Sequence, residues 1–328
     1  MKVQRHFEYL IMIVAFLAVT PIVWADSYMG DYKGTFYPDR ITTMPALAQV
    51  IAEGDDVYYR IVIKATPNEK DEDGANIEIY GNRQGSTVYI GDRAGGYHWS
   101  GQIQNGHLSV RSEYGQHFEL DKFERKSPNE GMKPPQGAIV LLPFKEGVKP
   151  DMSGWTNSNW KSLDNGAMQV NKGDNDTKEQ FGDIEHFHIE FKLPLEPNNR
   201  GQGRANSGVY FDGQFEVQVL DSFGIIETSG DCAGLYNLAR ARVNACLPPE
   251  TWQTYDVTFR APRLNANGSI KENPRITVYQ NGIKVQDDVE IPYSGNRWRG
   301  KTEATGPIHL QDHGHPIQYR NIWLVKGK

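Results

Sequence analysis

A period of two residues dominates this chain and confines its fold to sheets. In residues 186–193 (HFHIEFKL), Phe187, Ile189, Phe191 and Leu193 fall on one side of an extended strand, with His188, Glu190 and Lys192 on the other. The alternation recurs in 214–219, where Phe215, Val217 and Val219 oppose Gln214, Glu216 and Gln218, and again in 252–260. Shorter β patterns occupy 57–63, 76–80, 87–90, 107–111, 138–142, 308–311 and 317–325. Asn105-Gly106 and Asn281-Gly282 each separate two extended segments and predict tight hairpins, because both positions of such a turn need positive φ. Helical spacing shows only in 235–243, while 46–54 (ALAQVIAEG) reads as a short helix or a strand. Short strands with this punctuation predict an all-β chain built on an antiparallel jelly-roll sandwich rather than a parallel α/β sheet.

At 328 residues the chain is long enough for two domains. Residues 126–136 (KSPNEGMKPPQ) hold three prolines and predict a linker between a β-rich region, 26–125, and a larger unit, 137–328. The charge of −6 with no basic block argues against a nucleic-acid partner. Lys2 and Arg5 precede an apolar core at 9–19, and Val23-Trp24-Ala25 offers a small-x-small cleavage site before Asp26. Residues 1–25 therefore read as a cleaved export signal, with an uncleaved anchor as the alternative. The expectation is a secreted or periplasmic protein with no membrane contact after cleavage. In such a compartment Cys232 and Cys246 would close a short disulfide loop worth about 3 kcal/mol; two unpaired buried thiols are the alternative.

Four segments carry polar groups able to converge on a hydroxyl-rich ligand: His188 with Glu190; Asn206 with Ser207; Glu216, Gln218 and Asp221; and 311–315 with Arg320. In a jelly roll the polar sides of HIEF and FEVQV could share one groove. Glu190, Glu216 and Asp221 could then supply a general acid and base. His309, His313 and His315 crowd Asp312, which keeps a divalent metal open without a recognised ligand pattern. No GxSxG or phosphate loop is present, and 196–205 (EPNNRGQGRA), with Arg200 and Arg204, reads as a polar lip over a ligand.

Together, FHIEFKLP, NSGVYF, QFEVQVLDS, LPPETWQTYDV, VYQNGIKV and GPIHLQDHGHPIQYRNIWL, in that order, resemble the 3-keto-disaccharide hydrolase domain family over about 137–325. The segment SLDNGAMQVNKGDNDTKEQFGD departs from that family's usual pattern. The resemblance implies a concanavalin A-like jelly roll, preceded here by a smaller β region. It also implies cleavage of 3-keto-glycosides by proton abstraction beside the ketone, elimination and hydration. It implies functional coupling to a sugar 3-dehydrogenase. On the matching positions Glu216 or Glu190 would be the base, and Asp221, Asn206, Ser207, Gln218, Gln311, His188 and Arg204 would contribute polar contacts. Arg320 or His313 would stabilise the enolate. The alternative is a non-catalytic, lectin-like module of the same fold.

Overall fold

The computed structural model describes residues 26–54, 57–65, 75–292 and 303–327; the predicted signal lies outside the described residues. Eight strands form a closed antiparallel barrel in sequence order: β1 (Gly30–Tyr37), β2 (Met44–Glu53), β3 (Tyr58–Ala65), β4 (Ala75–Gln84), β5 (Thr87–Ala94), β6 (Tyr97–Gln104), β7 (His107–Ser112) and β8 (His117–Phe123). Residues 46–54, left open between helix and strand, fall largely in β2. Between β6 and β7, Asn105 and Gly106 take φ of 52° and 75°, the doubly left-handed turn that the pair predicts. Tyr32, Tyr59, Trp99 and Phe118 fill the interior with almost no exposure, as expected of a barrel this narrow. The buried Tyr32 and Tyr59 hydroxyls donate to the Tyr28 carbonyl (2.7 Å) and Asp26 Oδ2 (2.6 Å).

The second unit is a two-sheet sandwich. Its strands are β9 (Ile139–Leu142), β10 (Lys161–Ser162), β11 (Met168–Gln169), β12 (Asn175–Asp176), β13 (Ile184–Lys192), β14 (Ser207–Phe211), β15 (Phe215–Val219), β16 (Trp252–Arg260), β17 (Arg263–Leu264), β18 (Ile270–Glu272), β19 (Arg275–Gln280), β20 (Ile283–Glu290), β21 (His309–Leu310) and β22 (Gln318–Lys326). The large sheet runs β10-β11-β22-β13-β16-β19-β20, with β9 on β22, and the small one β12-β21-β14-β15; β17 and β18 form a separate hairpin. One apolar core lies between the sheets, holding Phe187, Ile189 and Phe191 of β13 against Val209, Phe211, Val217 and Val219 of the β14–β15 hairpin. The Phe187 and Phe211 rings meet edge-on at 5.2 Å. Residues 235–243 form no helix. Leu235 pairs with Val217 and Ala239 in isolated bridges, while Leu238 and Val243 are exposed.

The proline-rich segment is no loose spacer. It crosses the outer face of the large sheet, hydrogen-bonded to it through Ser127, Asn129, Glu130, Gly131 and Met132. Arg125 clamps Asp31 of the barrel (2.8 Å) and donates to the Cys246 carbonyl (3.1 Å). Ser127 bonds Thr254 (2.7 Å), Asn129 donates to Asp256 (2.7 Å), and the Met132 carbonyl accepts from Asn321 (2.9 Å). Barrel and sandwich also dock directly: Phe223, at 2% exposure, belongs to the barrel's core cluster.

Candidate functional site

Because the inward residues of β13 and β15 meet in one core, their polar residues point to opposite outer faces of the sandwich. The shared groove expected for HIEF and FEVQV does not form. On the large-sheet side, the bonded strap buries the expected open face. Glu190 has no exposure, and its Oε1 accepts from Gly131 N (2.6 Å) and Asn321 Nδ2 (2.7 Å) while Oε2 accepts from Arg320 Nε (2.7 Å). Burial works against its charged form, but these bonds and His188 outweigh it and hold the carboxyl below its ordinary pKa. Arg320 is spent in the same way. It pairs with Glu130 (2.8 Å) as well as Glu190, and its guanidinium lies between the Phe144 and Trp252 rings at 4.3 and 3.9 Å. His188 is also fully buried, stacked on Trp323 and bonded to Asp256 at 2.8 Å. Burial opposes its protonated form, yet bonds to Asp256 and Glu190 raise its pKa overall. Glu190, His188 and Arg320 thus stand in one buried network beneath the strap rather than on an open face, with His188 Nε2 left 3.5 Å from Glu190 Oε1.

Asp221 and Arg204 are placed away from the small-sheet face as well. They form a buried ion pair (2.5 Å) whose guanidinium also donates to the Ala52 carbonyl of the barrel (3.2 Å), so they belong to the joint between the units. Ser207 points inward as well. Its hydroxyl bonds Tyr319 OH and the Gln311 carbonyl, both at 2.7 Å.

The outer face of the small sheet is different. Asp176 pairs with His309, His309 with Tyr210, and Tyr210 with Glu216, so four side chains stand in one cross-strand row over β12, β21, β14 and β15. His309 Nδ1 lies 2.8 Å from Asp176 Oδ1, and the His309 ring meets the Tyr210 ring edge-on at 4.9 Å. Tyr210 in turn bonds Glu216. Gly208 makes room for this arrangement: a Cβ there would come within 2.5 Å of Glu216 Oε1 and 2.7 Å of Tyr210 Cε2. Glu216 is partly exposed, and burial pushes its pKa up to about 7 even though Tyr210 lowers it. Burial together with the charge of Glu216 keeps the Tyr210 hydroxyl protonated far above the neutral range.

Next to this row, Gln218 stands opposite Gly208. Gln202, on the lip, links the neighbours: its carbonyl and Oε1 accept from Asn206 Nδ2 (2.7 and 3.1 Å), and Oε1 also accepts from Gln218 Nε2 (3.3 Å). Asn206 Oδ1 is buried with no partner among the described residues. Gln311 docks by its backbone, donating to the Gly208 carbonyl (3.0 Å). His313 is exposed and stacks beside His315, which bonds Glu196 of the lip at 2.9 Å. Of the predicted residues the structure thus gathers Glu216, Gln218, Asn206 and the backbone of Gln311 near one face. Sequence reasoning missed Tyr210, Asp176 and Gln202 and valued His309 only as a metal ligand. The signal available was the tyrosine two residues after the glycine of NSGVYF. Among the described residues no group of three or more His, Cys, Asp or Glu side chains is placed to hold a metal ion. Cys232 and Cys246 are buried free thiols in mutual contact, so the expected bridge is not formed in this structure.

Residues 138–325, more than half the chain, match the model of the 3-keto-alpha-glucoside-1,2-lyase-like domain family. The chain belongs to that family. The match begins after the strap and contains the whole Asp176–His309–Tyr210–Glu216 row, while the barrel lies outside it. Among solved structures, one from Parabacteroides distasonis described as a "putative glycosyl hydrolase" is 35% identical, with a TM-score of 0.53; the alignment covers 59% of this chain and 85% of that one. A second structure of the same description and organism is 16% identical, with a TM-score of 0.40, over 58% of this chain and 95% of that one. No curated protein matches the chain. Family and fold together place the chain among carbohydrate-active enzymes. No helix among the described residues is long and apolar enough to cross a membrane.

Proposed function

We propose that this chain is an exported enzyme that cleaves 3-keto-glycosides, with Glu216 as the base. The observation that carries the reading is a partly exposed carboxyl with a pKa pushed up to about 7, standing on a rigid sheet beside a protonated tyrosine. A general base works best when its pKa lies near the working pH, and burial has moved Glu216 there.

A ketone at C3 acidifies the C2 proton. Glu216 removes that proton, and the electron pair moves onto the C3 oxygen as an enolate. When the ketone re-forms, the pair becomes the C1–C2 double bond, the C1–O bond breaks, and the leaving oxygen takes a proton. Water adding at C1, with a proton returned to C2, completes net hydrolysis. Tyr210 stays protonated at neutral pH and donates to Glu216; once the carboxyl has taken the C2 proton it no longer needs that bond, and the hydroxyl can be donated to the developing oxyanion. His309, fixed by Asp176, packs edge-on against Tyr210 and holds its ring in place. Gln218, Asn206 and Gln202 supply hydroxyl contacts. The ketone itself must come from a separate oxidation at C3, the reaction of a sugar 3-dehydrogenase.

The test compares a 3-keto-glucoside with its parent glucoside, in ordinary and deuterated water. The expected result is release of the aglycone from the ketone only, with deuterium found at C2. Equal turnover of the parent glucoside would remove the ketone from the mechanism.

A further inference from the structure

The barrel lies outside the family match, and its outer wall carries a feature that its own folding does not require. Tyr58 pairs with Asn82, Asn82 with Tyr89, and Tyr89 with Gln102, so these four side chains form one row across β3, β4, β5 and β6. All four are exposed; Tyr58 keeps 57% and Tyr89 48% of its surface. The row is uncharged and alternates ring with amide. In the adjoining row the Gln104 amide donates to Thr87 Oγ1 at 3.0 Å. On the other side Arg60 is engaged by Glu53 (3.1 Å) and Glu78 (3.5 Å), and Tyr80 donates to Glu78 (2.7 Å).

We propose that this row is a glycan-binding platform for an extended, neutral, β-linked polysaccharide chain. Tyrosine rings offer flat apolar faces to the C–H faces of sugars, while the amides between them suit hydroxyls. Tyr58 and Tyr89 are two strands apart, about 10 Å on the spacing of neighbouring strands, close to the repeat of two sugar units in an extended chain. The lack of charge along the row disfavours an acidic or basic ligand. Tyr58 is held in place, its ring lying over Gly54, where a Cβ would stand 3.4 Å from Tyr58 Cδ2.

The platform also starts where the two units meet. Gly54 donates to the Pro197 carbonyl (2.9 Å), Arg200 pairs with Glu53 (3.4 Å), and Arg204 donates to the Ala52 carbonyl. Those three partners lie on the lip that carries Gln202 and Glu196 to the sandwich face. A chain held by the barrel would therefore be kept close to the rim of the Glu216 site.

Affinity electrophoresis of the full chain tests this, with hydroxyethylcellulose in the gel and flexible α-linked dextran as the comparison. The native protein is expected to be retarded by hydroxyethylcellulose and not by dextran. Tyr58→Ala and Tyr89→Ala should each weaken retardation on the order of tenfold, whereas Tyr89→Phe, which keeps the ring, should stay within about twofold. Turnover of a small soluble 3-keto-glucoside should be unchanged in all three variants, which separates failure of the platform from failure of the catalytic reading. No retardation of the native protein, equal retardation by dextran, or alanine variants retarded like the native protein would each overturn the platform.

Discussion

Replacing Glu216 with glutamine separates the role of a base from that of a buried polar residue, because the two roles predict changes of opposite sign. The carboxyl titrates near 7 in the folded protein against an ordinary value of 4.5. The folded state thus binds the proton more tightly than the unfolded chain does. The neutral form stabilises the fold below about pH 4.5, and that contribution is lost as pH rises toward and through 7. The gap corresponds to at most about 3 kcal/mol, and partial exposure of the side chain will screen it to less. Glutamine keeps the shape and can still accept from Tyr210, but it never ionises. Glu216→Gln should therefore match the native protein in thermal stability at pH 4 and exceed it at pH 8. Turnover of a 3-keto-glucoside should fall by about 10²–10⁴, the usual contribution of a positioned base. In the native enzyme, kcat/KM should rise with pH around a midpoint near 7. The reasoning fails if the variant keeps turnover within threefold of native, or if the native profile is flat from pH 5 to 9.

Glu190→Ala would strand Arg320, Asn321 and the Gly131 amide in a buried network, so stability should fall by about 3–5 kcal/mol in denaturant melts. Turnover per folded molecule should change by only a few-fold; a loss matching that of Glu216→Gln would return Glu190 to the chemistry. Phe223→Ala removes the sandwich's one aromatic in the barrel core, and should cost about 3–5 kcal/mol. Calorimetry should then show the barrel melting apart from the sandwich, and a single unshifted transition would refute the docking. The touching Cys232 and Cys246 thiols should oxidise to a bridge in protein prepared from an oxidising compartment. Thiol titration after unfolding should find none free there and two in reduced protein; two free thiols in both would leave them as packing residues.

Much of this fold was readable from local rules. Asn105-Gly106 and Asn281-Gly282 turn where such pairs must, and the apolar members of HFHIEFKL and FEVQV do point into one core. The reading failed where the answer depended on what lies over a face. Alternation says which residues share a side of a strand, but not whether water or another segment meets that side. KSPNEGMKPPQ has the composition of a spacer, yet its Ser127, Asn129 and Gly131 are bonded to the large sheet. The helical spacing of 235–243 misled for a related reason: its apolar residues do not share one buried face, since Leu235 is buried while Leu238 and Val243 are exposed. The pairing of His309 with Tyr210 joins residues about a hundred positions apart through strand order, which no local pattern encodes.

Glu190 and Glu216 show why the enclosure matters more than the residue type. Both are mid-strand carboxylates on the polar side of an alternating segment, and both suffer desolvation. At Glu190 an arginine, an asparagine and a backbone amide answer the charge, and with His188 they hold the pKa down. At Glu216 a single tyrosine answers it, so desolvation wins and the pKa rises. A base must give up little to accept a proton, and a carboxylate with three strong donors gives up all three. On the proposed mechanism the under-compensated carboxylate is the better base, and Gly208 leaves room for it. Any side chain at position 208 would press on Glu216 and Tyr210 together. Gly208→Ala should accordingly cut turnover by separating base from donor, while leaving the Asp176–His309 bond in place.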